Sequence, residues 1–241
     1  MIDWLRRDSR AGPEITLGER RLPIVVTRHP RAKRIVLRLA PEGDAVRVTL
    51  PRWGRTAEAV EFAHARRDWL VAQLDALPQG QPPRAGGTLA YRGAELTIAW
   101  SPDAPRRPFL DGETIAIGGP EKHLAARLQR WLEGEALRLM SADLSEFCAV
   151  AGAPAPSLRL SRARRRWGSC ASDGTVRINW RLVMAPDAVR RSVVAHEVAH
   201  LLHFDHSPAF RAALAHIYDG DLPAADRWLK ERGRTLYAAF G

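Results

Sequence analysis

His196-Glu197-Val198-Ala199-His200-Leu201-Leu202-His203-Phe204-Asp205-His206 is the stretch that decides how this chain is read. It gathers four of the eight histidines into eleven residues, and its first five positions spell H-E-x-x-H. Histidines four apart on a helix lie one turn above each other on the same face, so both imidazoles can reach one metal ion with the intervening glutamate beside it. The flanking Val189, Val193, Val194, Val198, Leu201 and Leu202 have the period of a helix packed on a core. Pro186 and Asp187 open that helix, where a missing N–H costs nothing and a carboxylate meets the positive end of the dipole. The reading is a metal site with His196 and His200 as ligands and Glu197 as the natural general base.

Catalytic zinc uses three protein ligands and leaves the fourth position to water. Two residues compete for the third place. His203 follows His200 by three and stays near the metal-facing side if the helix continues, but reaching the same ion from there strains a tetrahedral site. His206 precedes Ser207-Pro208, which reads as an N-cap followed by proline at the first position of a new helix. A chain that turns there swings His206 back over the metal, so geometry favours His206. His203 is then a surface residue, a residue behind the ligands, or an electrophilic helper.

Upstream, Arg166-Trp167-Gly168-Ser169-Cys170 and Asn179-Trp180-Arg181-Leu182 precede the run His196 to Phe210. These three blocks, in this order, resemble the YgjP-like metallopeptidase family, which neighbours the SprT-like and WLM-type zinc peptidases. The resemblance is close over the C-terminal half and extends to the N-terminal half only in its strand-rich layout. It implies one zinc ion held by His196, His200 and His206, with Glu197 as catalytic base. Some proteins similar to this one are described as UTP pyrophosphatases, so the family resemblance leaves the substrate open.

Ser172-Asp173-Gly174 is turn chemistry, so Arg166 to Cys170 and Thr175 to Trp180 read as a β-hairpin with Val176, Ile178 and Trp180 on one face. A strand beside the active-site helix can pair with an extended substrate, and Gly168 permits close backbone approach. Arg166, Gly168, Ser169 and His203 are therefore candidate substrate-binding residues. Arg166, His203 and Tyr218 are candidate donors to an oxyanion. Cys148 and Cys170 have no C-x-x-C spacing and read as small buried hydrophobes, and two cysteines make no disulfide framework.

The 241 residues, 46% of them hydrophobic, can bury a substantial core as one large domain or two small ones. Met1 to Asp8 contains no apolar run that could serve as a signal sequence, and no stretch is long and apolar enough to span a bilayer. A cytoplasmic protein without a membrane partner is expected. The net charge is +10, and only Lys33, Lys122 and Lys230 of the basic residues are lysine. Arg159, Arg162, Arg164, Arg165 and Arg166 cluster before the hairpin, where guanidinium forks could meet the phosphates of a nucleotide or nucleic acid.

Short apolar runs at Ile24–Thr27, Ile35–Leu39 and Val46–Leu50 read as strands, followed by a helix capped by Thr56 with Phe62, Trp69, Leu70, Leu74 and Leu77 inward. Pro78 to Gly87 reads as a linker, and strands follow near Leu89–Tyr91, Glu95–Trp100 and Thr114–Ile117. Glu121 to Val150 has the period of one long helix, ended by Gly152 and Pro154. No internal repeat is visible. The expected architecture is α+β: a strand-rich N-terminal module with one helix over residues 1–120, then a mostly helical, zincin-like half over residues 121–241 with its own small antiparallel sheet. The expected function is zinc-dependent hydrolysis of a protein or peptide. The alternatives are a metal-dependent UTP pyrophosphatase, against which no G-x-x-x-x-G-K-[ST] loop is present, and a nucleic-acid-associated protease or binding module.

Overall fold

The computed structural model describes residues 12–40, 43–75 and 82–240. The chain divides into two compact units, Met1–Pro78 and Gln79–Gly241. Both are α+β, as the sequence suggested.

In the first unit, strands β1 (Glu14–Leu17), β2 (Arg20–Arg28), β3 (Val36–Leu39) and β4 (Val46–Leu50) form one sheet in the order β1-β2-β4-β3. The outer pairs are antiparallel and β2 runs parallel to β4. Alternation buries Ile15, Leu17, Leu22, Ile24, Val46 and Val48 on one face, covered by helices α1 (Thr56–Ala65) and α2 (Arg67–Asp75) through Ala59, Ala63 and Leu70. The expected single helix is two. Arg66 leaves helical geometry at φ −108° and ψ 21°, which resets the helical phase and leaves Trp69 44% exposed instead of inward. Arg55, not Thr56, is the N-cap, and its backbone N–H donates to Glu58 Oε2 at 3.1 Å. Leu77, the start of the expected linker and the segment Met1 to Asp8 lie outside the described residues.

The second unit begins with strands β5 (Thr88–Tyr91), β6 (Ala94–Trp100), β7 (Phe109–Asp111) and β8 (Thr114–Ile117), ordered β5-β6-β8-β7. Here too the outer pairs are antiparallel and the central pair parallel. The topology of the first sheet is therefore repeated in the second, although no repeat is visible in the sequence. A topology depends on where turns and apolar alternation fall, and many sequences satisfy the same pattern.

Helix α3 (Leu124–Ala151) follows a 3-10 turn at Glu121–His123 and ends at Gly152, whose φ of 65° is the left-handed conformation glycine allows. Strands β9 (Leu158–Ser161), β10 (Gly168–Cys170) and β11 (Val176–Asn179) then form a small sheet ordered β10-β11-β9. β10 and β11 are the expected hairpin, but the sheet is mixed, because β9 pairs parallel to β11 within the stretch read only as an arginine cluster. Helices α4 (Asp187–Leu202), α5 (Pro208–Ile217) and α6 (Leu222–Arg232) complete the unit. Ile98 and Ile115 of the second sheet share one core with Leu128 of α3, Trp180, and Val194 and Val198 of α4. The strands from Leu89 to Ile117 thus pack in the same core as the helix that carries the histidines. Among the described residues, no helix is long and apolar enough to cross a membrane.

α3 is joined to α4 by buried charge as well as by apolar packing. Arg190 Nε donates to Asp143 Oδ2 at 2.8 Å with both side chains at most 6% exposed, and Arg191 Nη1 reaches the other Asp143 oxygen at 3.1 Å. Removing one partner of such a pair leaves an uncompensated buried charge. Asp143→Ala is expected to destabilise the protein by about 3–5 kcal/mol, read as a shift in the urea unfolding midpoint.

Candidate metal centre

α4 places His196 and His200 on adjacent turns, their ring centroids 4.8 Å apart. The helix stops at Leu202. His203 is already extended, at φ −142° and ψ 114°, and its N–H bonds the Ala199 carbonyl at 3.0 Å. Asp205 Oδ1 accepts the Ser207 N–H at 3.3 Å, and Ser207 Oγ accepts the Phe210 N–H at 3.3 Å as the N-cap of α5, with Pro208 in the first turn. This turn brings His206 back over α4, and its Nε2 lies 3.3 Å from His196 Nε2. One ring nitrogen from each of His196, His200 and His206 falls within 4.8 Å of the others. Three nitrogen donors that converge in this way could hold one metal ion.

The imidazoles are oriented from behind. His200 Nδ1 lies 3.1 Å from the His203 carbonyl, so it carries the proton and leaves Nε2 as the lone-pair nitrogen. His203 therefore contributes its backbone to the site as a support for His200. Phe210, 2% exposed, packs its ring against all three imidazoles at centroid distances of 5.0, 4.6 and 4.8 Å. Burial, with His200 and His206 nearby, pushes the His196 pKa down to about 4, which keeps the ring neutral at pH 7.

Glu197 is 4% exposed, and its Oε2 has no hydrogen-bond partner among the described residues. Burial raises its pKa to about 7, opposed by the Cys170 backbone N–H and by the charge of Arg166. β10 lies against this carboxylate. A Cβ built on Gly168 would stand 2.7 Å from Glu197 Cγ and 2.8 Å from Cδ, and closer still to Oε1. Gly168 is thus a packing requirement of the glutamate, and Arg166 acts on the same carboxylate through its charge. Ser169 and Cys170 lie on the same half-exposed strand, and burial holds the Cys170 thiol protonated above its ordinary range.

Other candidates fall elsewhere. The Tyr218 hydroxyl donates to the Ala188 carbonyl at 2.8 Å, two turns before His196, and packs edge-on against Phe147. In the arginine cluster, Arg162 pairs with Glu133 at 2.7 Å and Arg164 lies over the Tyr237 ring. Asn179 is structural, since its Nδ2 donates to the Ala163 carbonyl at 2.8 Å and the Tyr237 hydroxyl at 3.1 Å, tying the segment before β10 to the C-terminal turn. Sequence reasoning assigned no role to Phe210 or Asn179. Phe210 has the right helical offset from Ser207 to have been placed near the histidines, whereas Asn179 carries no such signal.

A half-buried helix with two imidazoles, a third returned by a turn and a buried carboxylate between them define a candidate metal-dependent hydrolase. The family model described as YgjP-like, metallopeptidase domain, matches residues 33–232, and the chain belongs to that family. The family is one of metallopeptidase domains, which implies hydrolytic chemistry with a metal ion and a protein substrate. The chain matches no curated protein and no solved structure.

If Gly168 is glycine because Glu197 fills the space of its Cβ, Gly168→Ala destabilises the wild type by about 1–3 kcal/mol and costs far less in a Glu197→Ala background. A thermal-melt double-mutant cycle measures that coupling. Additive penalties would mean that the glycine answers to something else.

Proposed function

We propose that the protein is a zinc-dependent peptidase whose ion is held by His196, His200 and His206 and whose general base is Glu197. The observation that carries this reading is the convergence of three imidazoles beside a buried carboxylate with an unpartnered oxygen. An all-nitrogen donor set suits zinc better than the oxygen-loving divalent ions used with phosphate substrates. Zinc in such a site supplies Lewis acidity and lowers the pKa of a water it holds to about 7.

Glu197 Oε2 receives the proton of the water that attacks the scissile carbonyl and passes it to the leaving amine. Its neighbour β10 is an edge strand. The bonds Asn179 N–H to Trp167 O and Ala171 N–H to Thr175 O, at 2.7 and 3.0 Å, fix the phase of the ladder. By alternation, Gly168 and Cys170 turn their backbone groups away from β11, and of these the Cys170 N–H is already bonded to Glu197. An extended peptide can bond to that edge and lie across the imidazoles, a mode of recognition that selects backbone rather than a particular side chain. Arg166 and Ser169 border the same edge as substrate contacts. An open strand edge beside the imidazoles matches an extended peptide backbone better than a triphosphate, so peptide hydrolysis is the stronger reading over UTP hydrolysis.

Purified protein is expected to hold one zinc per chain by elemental analysis and to cleave an unstructured protein. Glu197→Gln keeps the metal and loses about 10²–10⁴-fold in rate, whereas His206→Ala loses metal and activity together. Hydrolysis of UTP that depends on Glu197, without proteolysis, would overturn the peptidase assignment.

A further inference from the structure

The outer stripe of α3 carries a second feature that shares no residue with the metal centre. Arg127, Arg130, Gly134 and Arg138 follow each other at helical offsets of three and four, so they lie on one face. That face forms one wall of an open cavity of about 720 Å³, and Arg106 and Arg107 from the loop before β7 form the other. Among the described residues Glu135 is its single carboxylate, and it is already taken by Arg138 at 2.6 Å and by the Tyr91 hydroxyl at 2.8 Å. Among the described residues, Arg106, Arg107, Arg127 and Arg130 make no ion pair. Guanidinium groups of one sign around a concave surface repel one another unless an anion fills it.

Two further observations point to a ligand. Arg127 spends Nη2 on the Pro120 carbonyl at 3.0 Å, while its buried Nε–H has no partner among the described residues. Gly134 sits in the middle of a 28-residue helix, where glycine is destabilising relative to any ordinary helix former. Among the described residues no packing neighbour requires it, since a Cβ there would meet nothing within 4 Å outside its own turn of helix. The missing side chain keeps the floor of the cavity open down to the helix backbone.

The chemistry of the walls identifies the occupant. Trp131 lines the cavity, half-buried against the Tyr91 ring at 5.1 Å. An adjoining hollow of about 460 Å³ shares Trp131 and Arg107 and is flanked by Phe109 and Leu110, which are 43% and 46% exposed. From Arg127 to Arg138 the helix rises about 16 Å, longer than one phosphate group needs. Positive charge spread along a groove, interleaved with aromatic faces, is the arrangement that tracks a single-stranded backbone and stacks its bases. We propose that this groove is a binding site for single-stranded nucleic acid, with phosphates on Arg106, Arg107, Arg127 and Arg130 and a base on Trp131. This site is independent of the assignment made for the metal centre.

The test is fluorescence anisotropy of a labelled single-stranded dodecanucleotide with the full chain, over a salt series. Binding is expected to weaken with salt at a log–log slope of about −3 for these four arginine contacts. Gly134→Leu adds no charge and favours the helix, so it should raise the melting temperature yet weaken binding at least fivefold. Arg127→Gln/Arg130→Gln should weaken it at least tenfold and flatten the slope. Binding that both variants leave intact would place the strand elsewhere on the protein and overturn the proposal. So would the absence of binding at low salt, equal competition by polyglutamate, or equal competition by UTP at matched phosphate concentration.

Discussion

The buried carboxylate of Glu197 is the constraint around which the second unit is arranged. An ionised group with an unsatisfied oxygen is costly inside a protein, and a fold retains it only where the surroundings leave it no other place. Here the surroundings are a strand with no side chain at the point of contact, Gly168, and a helix whose other faces are fixed in the core by Val194 and Val198. The same burial that makes the carboxylate a strong proton acceptor keeps the neighbouring imidazole of His196 neutral. The proton affinity of this carboxylate and its local cost therefore have one origin, and the restraint that holds it in place must come from elsewhere in the unit.

Part of that restraint comes from the opposite end of α4. Arg190 and Arg191 are held by Asp143 and Glu146 of α3, and Asp187 pairs with both Arg190 and Arg92. Buried ion pairs contribute little net stability against an apolar alternative, but they tolerate few geometries. A helix fixed by such a network at its first turns cannot slide or rotate on α3, so the histidines two turns further on stay in register with Gly168. Phe210 plays the corresponding part on the far side, filling the space behind three rings that would otherwise be free to choose other rotamers.

The local parts of this arrangement are legible in the sequence. The H-E-x-x-H spacing, the Ser207-Pro208 start of α5 and the Ser172-Asp173-Gly174 turn are all short-range signals, and together they predict the helix, the returned His206 and the hairpin. What the sequence hides is long-range. β9 is obscured because Leu158 and Leu160 alternate with Arg159 and Ser161 at the head of an arginine-rich run that reads as a solvated surface, and its parallel partner β11 lies beyond the intervening β10. Whether Gly168 serves a substrate or Glu197 depends on the distance between two segments far apart along the chain. The break at Arg66 is hidden because residues on both sides of it are ordinary helix formers.

The repeated sheet topology shows how one plan is adapted to two uses. In the first unit the tip of the β1–β2 hairpin, Gly18 and Glu19, is exposed. In the second unit the corresponding tip is Arg92-Gly93, and it is clasped by the chain that leads into α4: Arg92 N–H bonds the Val183 carbonyl at 2.8 Å and Gly93 N–H that of Met184 at 3.1 Å. Arg92 has a φ of 51°, a left-handed conformation that a non-glycine residue holds only at a cost of order 1 kcal/mol. The contacts explain its persistence, because the same residue also places its guanidinium on Asp187. Gly93, by contrast, has no freedom to be anything larger, since a Cβ there would lie 2.9 Å from Pro186 Cα. A hairpin that in one copy ends in solvent has in the other become the bracket that sets where the helix of the metal centre begins.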